Sequence, residues 1–143
     1  MSEGCIFCDI VNGRAPALVV AENDAALAIL DVQPLADGHC LVLPRRHVAW
    51  WDEMEEDETD AVFGLARHTA GKIRAAFAPD CVTMYVRGRR VPHTHIFLVP
   101  TFANDPLDRL FNALEGFQEQ AARLAELSDP EAMRAAFEKL RKA

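Results

Sequence analysis

The chain has 143 residues, 50% of them apolar and 26% charged, which suits one domain with one substantial core. A formal net charge of −7 disfavours broad nucleic-acid binding while leaving room for a small basic patch. No apolar run approaches the ~20 residues of a membrane span and the N-terminus has no secretory pattern. The expectation is therefore a cytoplasmic protein with no membrane and no nucleic-acid partner.

In that reducing setting the four cysteines, Cys5, Cys8, Cys40 and Cys81, do not read as a disulfide framework. Cys5-x-x-Cys8 has either metal-ligand or redox spacing, and no thioredoxin-like βαβ pattern surrounds it. Cys40 and Cys81 stand singly among apolar residues and are expected in the core.

Residues 5–12 read as a short helical turn, ended by Gly13 and the loop to Pro16. Leu18 to Glu22 and Ala25 to Leu30, parted by Asn23-Asp24, predict a hairpin. Asp31 to Pro34 closes it, Asp37-Gly38 makes a turn, and His39 to Leu43 predicts a third strand stopped by Pro44. Arg45-Arg46-His47 falls in a loop, and the acidic residues from Asp52 to Asp60 suit a helix N-terminus. Val62, Phe63, Ala66, Thr69, Ala70, Ile73 and Phe77 recur at helical spacing, so a helix is predicted over 59–77. Cys81 to Val86 reads as a fourth strand, Arg87 to Arg90 as a basic turn, and Val91 to Pro100 as a fifth strand.

Beyond Phe102, Asp105-Pro106 and Asp129-Pro130 each pair a cap with a first-turn proline and open two more helices. Leu107, Leu110, Phe111, Leu114 and Phe117 form one stripe, and Met133, Phe137 and Leu140 another. The element order predicts an α+β fold over residues 1–103: a five-stranded, mainly antiparallel sheet with helices on one face. Residues 104–143 form a C-terminal helical extension expected to cover this domain or a partner subunit.

Chemistry concentrates on the fifth strand. Alternation puts His93, His95 and Phe97 on one side, with the histidines roughly 6–7 Å apart, and turns Thr94, Ile96 and Leu98 the other way. A lone strand histidine is usually structural. Two at this spacing, just after Arg87, Arg89 and Arg90, point to a site that handles phosphate. His39, at the start of the third strand, could reach the same surface.

Four stretches in order resemble the histidine-triad family, in its bacterial zinc-containing branch. They are Cys5-Ile6-Phe7-Cys8 with Gly13 and Pro16, Leu30-Asp31-Val32-Gln33-Pro34, Gly38-His39 to Pro44-Arg45-Arg46-His47, and Val91-Pro92-His93-Thr94-His95. The resemblance covers roughly residues 4–102. It implies a nucleotide hydrolase or nucleotidyl transferase, commonly a homodimer, that forms a covalent nucleotidyl-histidine at the α-phosphate. Carried over, His95 is the nucleophile and His39 the neighbour that helps position the cluster. Asp31 would accept hydrogen bonds from the ribose, although its own spacing reads as a turn residue before Pro34. Ile6, Phe7, Ile10, Ile29 and Val32 match positions lining the base pocket, and each reads equally as plain core. Relatives hold a structural zinc with residues matching Cys5, Cys8, His47 and His93, a closed Cys2His2 set.

The sequence departs from the family in two places. Phe97 replaces the third triad histidine and can neither donate nor accept a proton. The loop before the triad, Tyr85-Val86-Arg87-Gly88-Arg89-Arg90, is short and cationic. Arg90 falls about where relatives carry a phosphate-binding hydroxyl, and Gly88 and Arg90 are taken as phosphate contacts. The other reading of this family's fold is a weakened member that binds nucleotides without turnover.

Overall fold

Five apolar runs form strands: β1 (Val19–Glu22), β2 (Ala26–Leu30), β3 (Cys40–Pro44), β4 (Cys81–Val86) and β5 (Ile96–Thr101). In this computed structural model, which describes residues 4–120 and 122–143, they build one sheet of order β1-β2-β3-β5-β4. Every neighbouring pair is antiparallel. The predicted α+β architecture is therefore the observed one. The pairing of β3 with β5 closes the long excursion between them, with Leu41 opposite Phe97 and Phe97 opposite Tyr85.

Alternation then divides the core in two. Ala26, Ala28, Cys40, Val42, Ile96 and Leu98 face helix α2 (Glu56–Phe77), which buries Val62, Leu65, Ala66, Thr69 and Ile73. Each large apolar side chain buried there contributes about 1.5–3 kcal/mol. The acidic residues Glu56, Asp57 and Glu58 occupy the first turn of α2, where the helix dipole favours them, so the helix starts earlier than its apolar stripe indicated. On the opposite face Leu27, Ile29, Leu41 and Leu43 pack with Cys5, Phe7 and Cys8 from the short helix α1 (Ile6–Val11) and its N-cap. Phe97 is packed against that second face.

Two expectations need correction. His93 and His95 lie in an irregular segment just before β5, not inside it, with a bend at His93, because β5 begins at Ile96. The segment still runs alongside its neighbour, the Thr94 N–H donating to the Val48 carbonyl at 2.7 Å. Cys81 is exposed at the start of the edge strand β4, whereas Cys40 is buried as expected. Burial pushes the Cys40 thiol up to about 11.

The chain divides into two compact units, Met1–Ala103 and Asn104–Ala143. The second holds α3 (Pro106–Gln120), α4 (Ala122–Ala125) and α5 (Pro130–Lys142). Both predicted caps form: Asp105 accepts from the N–H groups of Leu107 and Asp108, and Asp129 from those of Glu131 and Ala132. Leu107 is buried, while Leu110, Leu114, Phe117, Met133, Phe137 and Leu140 are exposed. No described helix is long and apolar enough to cross a membrane.

Candidate active site and metal centre

Four donors converge from three parts of the chain. Cys5 and Cys8 come from the N-cap and first turn of α1, His47 from the loop after β3, and His93 from the segment before β5. One ligand atom from each lies within 4.8 Å of all the others. The His93 Nδ1 is 3.5 Å from the Cys5 sulfur and 3.6 Å from that of Cys8, and the His47 Nδ1 is 3.3 Å from Cys8. A tetrahedral ion with bonds of about 2.3 Å to sulfur and about 2.0 Å to nitrogen would hold such atoms about 3.5 Å apart. The donor set and its spacing therefore suit a metal ion.

The tautomer of His93 is fixed from behind. Its Nε2–H donates to the Pro44 carbonyl at 2.9 Å, which leaves Nδ1 unprotonated and aimed at the thiols. Burial holds this imidazole below the ordinary histidine range, chiefly by excluding water, so the neutral, ligating form is favoured.

The carbonyl of the same residue orients the next histidine. His95 donates its Nδ1–H to the His93 carbonyl oxygen at 2.7 Å, so Nε2 carries the lone pair. The ring is buried but borders a cleft of about 430 Å³, lined also by Tyr85, Arg87, Gly88, Arg89, Arg90 and Phe97. Phe7 and Phe97 flank it, each with its ring centroid 4.9 Å from that of His95. An imidazole held in one tautomer with its lone pair at a cationic cleft can attack an electrophilic phosphorus.

Phe97 lies flat on Tyr85, its cross-strand partner, with ring centroids 4.4 Å apart and planes 8° apart. The cationic loop turns at Gly88, whose φ of +67° favours glycine. A Cβ added there would lie 3.3 Å from the Ala49 carbonyl oxygen and 3.7 Å from the Trp50 ring. Trp50 thus backs the loop that carries the arginines.

His39 is buried at the threshold of β3. The Leu35 N–H donates to its Nδ1 at 3.1 Å, so Nε2 bears the proton and faces the Asp31 carboxylate, 3.6 Å away. Asp31 also accepts from the Gln33 N–H at 2.8 Å, so it is a turn residue as its spacing suggested and a neighbour of His39 as well. Burial holds His39 below the ordinary histidine range, with the Asp31 charge opposing this in part.

A pH dependence follows from His39. Unfolded, it titrates near about pH 6.5; folded, its lowered pKa keeps it neutral further into acid. Its contribution to stability is complete above the unfolded value and is lost as pH falls towards the folded one. Protonation would also remove the acceptor used by Leu35. Urea midpoints should fall less steeply from about pH 7 to about pH 5 in His39→Asn than in the wild type. Metal release in acid acts on both proteins and cancels in the comparison. Parallel slopes would remove His39 from the acid response.

The structure brings together Cys5, Cys8, His47 and His93, and separately His95, Gly88 and Arg90. Asp31 and His39 do not line the cleft but adjoin it, since the His39 ring is 5.8 Å from that of Phe97. Phe7 and Ile29 lie in the buried cluster under α1, and Ile10 is partly buried against it. Ile6 and Val32 are exposed, Val32 to 91%. Sequence reasoning missed Tyr85 and Trp50 as parts of the site. Tyr85 becomes visible only from its register opposite Phe97.

A histidine pair at the head of an antiparallel strand, with one ring bound to its neighbour's carbonyl and facing an arginine-lined cleft, is the arrangement of a histidine-triad protein. The chain belongs to the HIT domain family, matching the HIT domain over residues 12–104. Cys5 and Cys8 precede that matched stretch. An uncharacterized HIT-like protein of Mycoplasma genitalium is 35% identical over 106 residues, spanning 71% of this chain and 75% of the relative. The adenylylsulfatase HINT3 of Arabidopsis thaliana is 30% identical over 112 residues, 75% of this chain and 57% of that protein. A crystal structure of a zinc-bound histidine triad family protein from Mycobacterium smegmatis superposes with a TM-score of 0.67 at 28% identity. The match covers 73% of this chain and 79% of the other.

Proposed function

We propose that the protein is a zinc-containing nucleotide hydrolase or nucleotidyl transferase that works through His95. The observation that carries this reading is the 2.7 Å bond from the His95 Nδ1–H to the His93 carbonyl, which leaves the lone pair on Nε2 of a ring that borders the cleft and so supports Nε2 as the nucleophile. In the first step Nε2 forms a bond to the α-phosphorus, and the bond from phosphorus to the leaving group breaks with its electron pair. Water, or another acceptor, then attacks the same phosphorus, and the N–P bond breaks to restore the imidazole. Arg90 and the backbone at Gly88 hold the phosphate oxygens. Asp31 receives the ribose hydroxyls, and the base lies along Ile6, Phe7, Ile10, Ile29 and Val32.

Zinc is the ion for the cluster of Cys5, Cys8, His47 and His93: it favours two thiolates with two imidazoles, and a zinc-bound relative has the same fold. With its four protein ligands the site is structural, and the metal stabilises the link between α1 and the histidine segment. His93 spends its Nδ1 lone pair there, so it is not the nucleophile.

Rapid-quench mass spectrometry with an adenosine 5′-phosphoramidate or a dinucleoside polyphosphate tests the reading. A nucleotidyl adduct should appear on the peptide holding both histidines and be absent in His95→Gly. An adduct that persists in that variant reverses the assignment. Nucleotide binding with neither adduct nor turnover would leave a binding protein of the same fold, which the missing donor at Phe97 favours as the second reading.

A further inference from the structure

Resting on His95 as nucleophile, we propose that Arg87 and Arg89, beside Arg90 on the attacked phosphate, form a leaving-group site selecting nucleoside phosphates whose leaving group is already an oxyanion. That class comprises phosphosulfates and phosphoanhydrides, as opposed to phosphoramidates and alkyl phosphodiesters.

Three arginines within four residues of chain line the cleft, and no acidic residue does. Among the described residues, no acidic group lies within ion-pair distance of Arg87, Arg89 or Arg90. Arg14, Arg45, Arg46 and Arg141 each hold a carboxylate at 2.6 to 3.1 Å; Arg67, Arg74, Arg109 and Arg134 hold none among the described residues, but they do not share this cleft. Three uncompensated cations in one cleft of a chain with net charge −7 are matched to a ligand with several negative charges. The α-phosphate under attack supplies one, and the group it expels must supply the rest.

Phe97 gives the same answer independently. It lies beside His95, where its phenyl ring stacks on Tyr85 and has no proton to give. An amine or alkoxide leaves as a strong base and needs a proton as its bond to phosphorus breaks. Sulfate or a phosphate chain takes the electron pair without one, and guanidinium groups stabilise the charge it gains. Arginine replaces acid catalysis. Tyr85 brings a hydroxyl to the cleft lining, although burial and the Asp31 charge make it a weaker acid than an ordinary tyrosine.

The test compares kcat/KM for adenosine 5′-phosphosulfate, ATP cleaved at the α-phosphate, and adenosine 5′-phosphoramidate, using the zinc-loaded full chain. Phosphosulfate or ATP should be preferred, and their order tells a sulfate from a pyrophosphate leaving group. Arg87→Ala with Arg89→Ala should shrink the preference over phosphoramidate by about 10- to 100-fold. The corresponding lysine pair should recover part of it. Melting temperature and zinc content check that the variants are folded. A preference for phosphoramidate, lost in Tyr85→Phe, would make Tyr85 the acid and overturn the leaving-group assignment while His95 chemistry stands. A preference unmoved by removing the arginines would overturn it too. Turnover of none of the three compounds would remove the hydrolase reading, and this inference with it.

Discussion

Protein purified without added metal should carry close to one zinc per chain, and Cys8→Ser should lose both the ion and much of the thermal stability. Cys8 is buried, and its sulfur is near the Nδ1 atoms of both His47 and His93. Removing it leaves the ion one thiolate short and the remaining donors crowded without their shared partner. Structural zinc is worth about 10–16 kcal/mol in isolated finger peptides. Here a hydrophobic core persists, so the expected outcome is a folded protein with a lowered melting temperature, not an unfolded chain. The loss should reach activity as well, because the His93 carbonyl orients His95. Metal analysis and a thermal melt on the same samples decide the matter. A wild-type chain that is metal-free and melts as high as the loaded form would sink the assignment. Thiol titration with and without chelator separates this from a redox role for the same two cysteines.

The second large effect concerns Phe97. Phe97→His should raise turnover by about 10²–10⁴ for amine or alkoxide leaving groups and leave pyrophosphate-type substrates little changed. The ring stacked on Tyr85 is partly buried and shares the cleft with His95, so an imidazole there would stand beside the breaking bond. Losing the aromatic stack would cost about 0.5–1.5 kcal/mol, a drop that a melt would register without unfolding the protein. Equal gains for both leaving-group classes would defeat the proton-donor explanation. A destabilised variant with no gain would make Phe97 a packing residue.

Local chemistry made most of the fold legible. The turn at Asp37-Gly38, the helical stripe from Val62 to Ile73, and the two Asp-Pro caps all act over a few residues, and the structure keeps them. The failures are long-range. Nothing near His93 in sequence shows that the Pro44 carbonyl will accept its proton, or that Val48 will hold Thr94 and delay the start of β5. Cys81 resembles Cys40 in its apolar surroundings, yet it begins an edge strand and Cys40 lies between two strands under a helix. The donor set Cys5, Cys8, His47 and His93 was legible only through the resemblance, since no spacing rule connects Cys8 to a histidine 85 residues away. Tyr85 was hidden for the same reason: a cross-strand neighbour exists only once register is fixed.

The close approach of Trp50 to Gly88 also equips the protein with a light-sensitive gauge. The chain has two tryptophans and one tyrosine, and Trp50 sits behind the turn that presents the arginines. Trp51 is set edge-on to Phe63, ring centroids 6.2 Å apart. An anion drawn to the arginine turn would alter the surroundings of the indole packed against Gly88 and so change its emission. Fluorescence quenching in unlabelled protein would then follow occupancy of the arginine turn, even for ligands that are never cleaved.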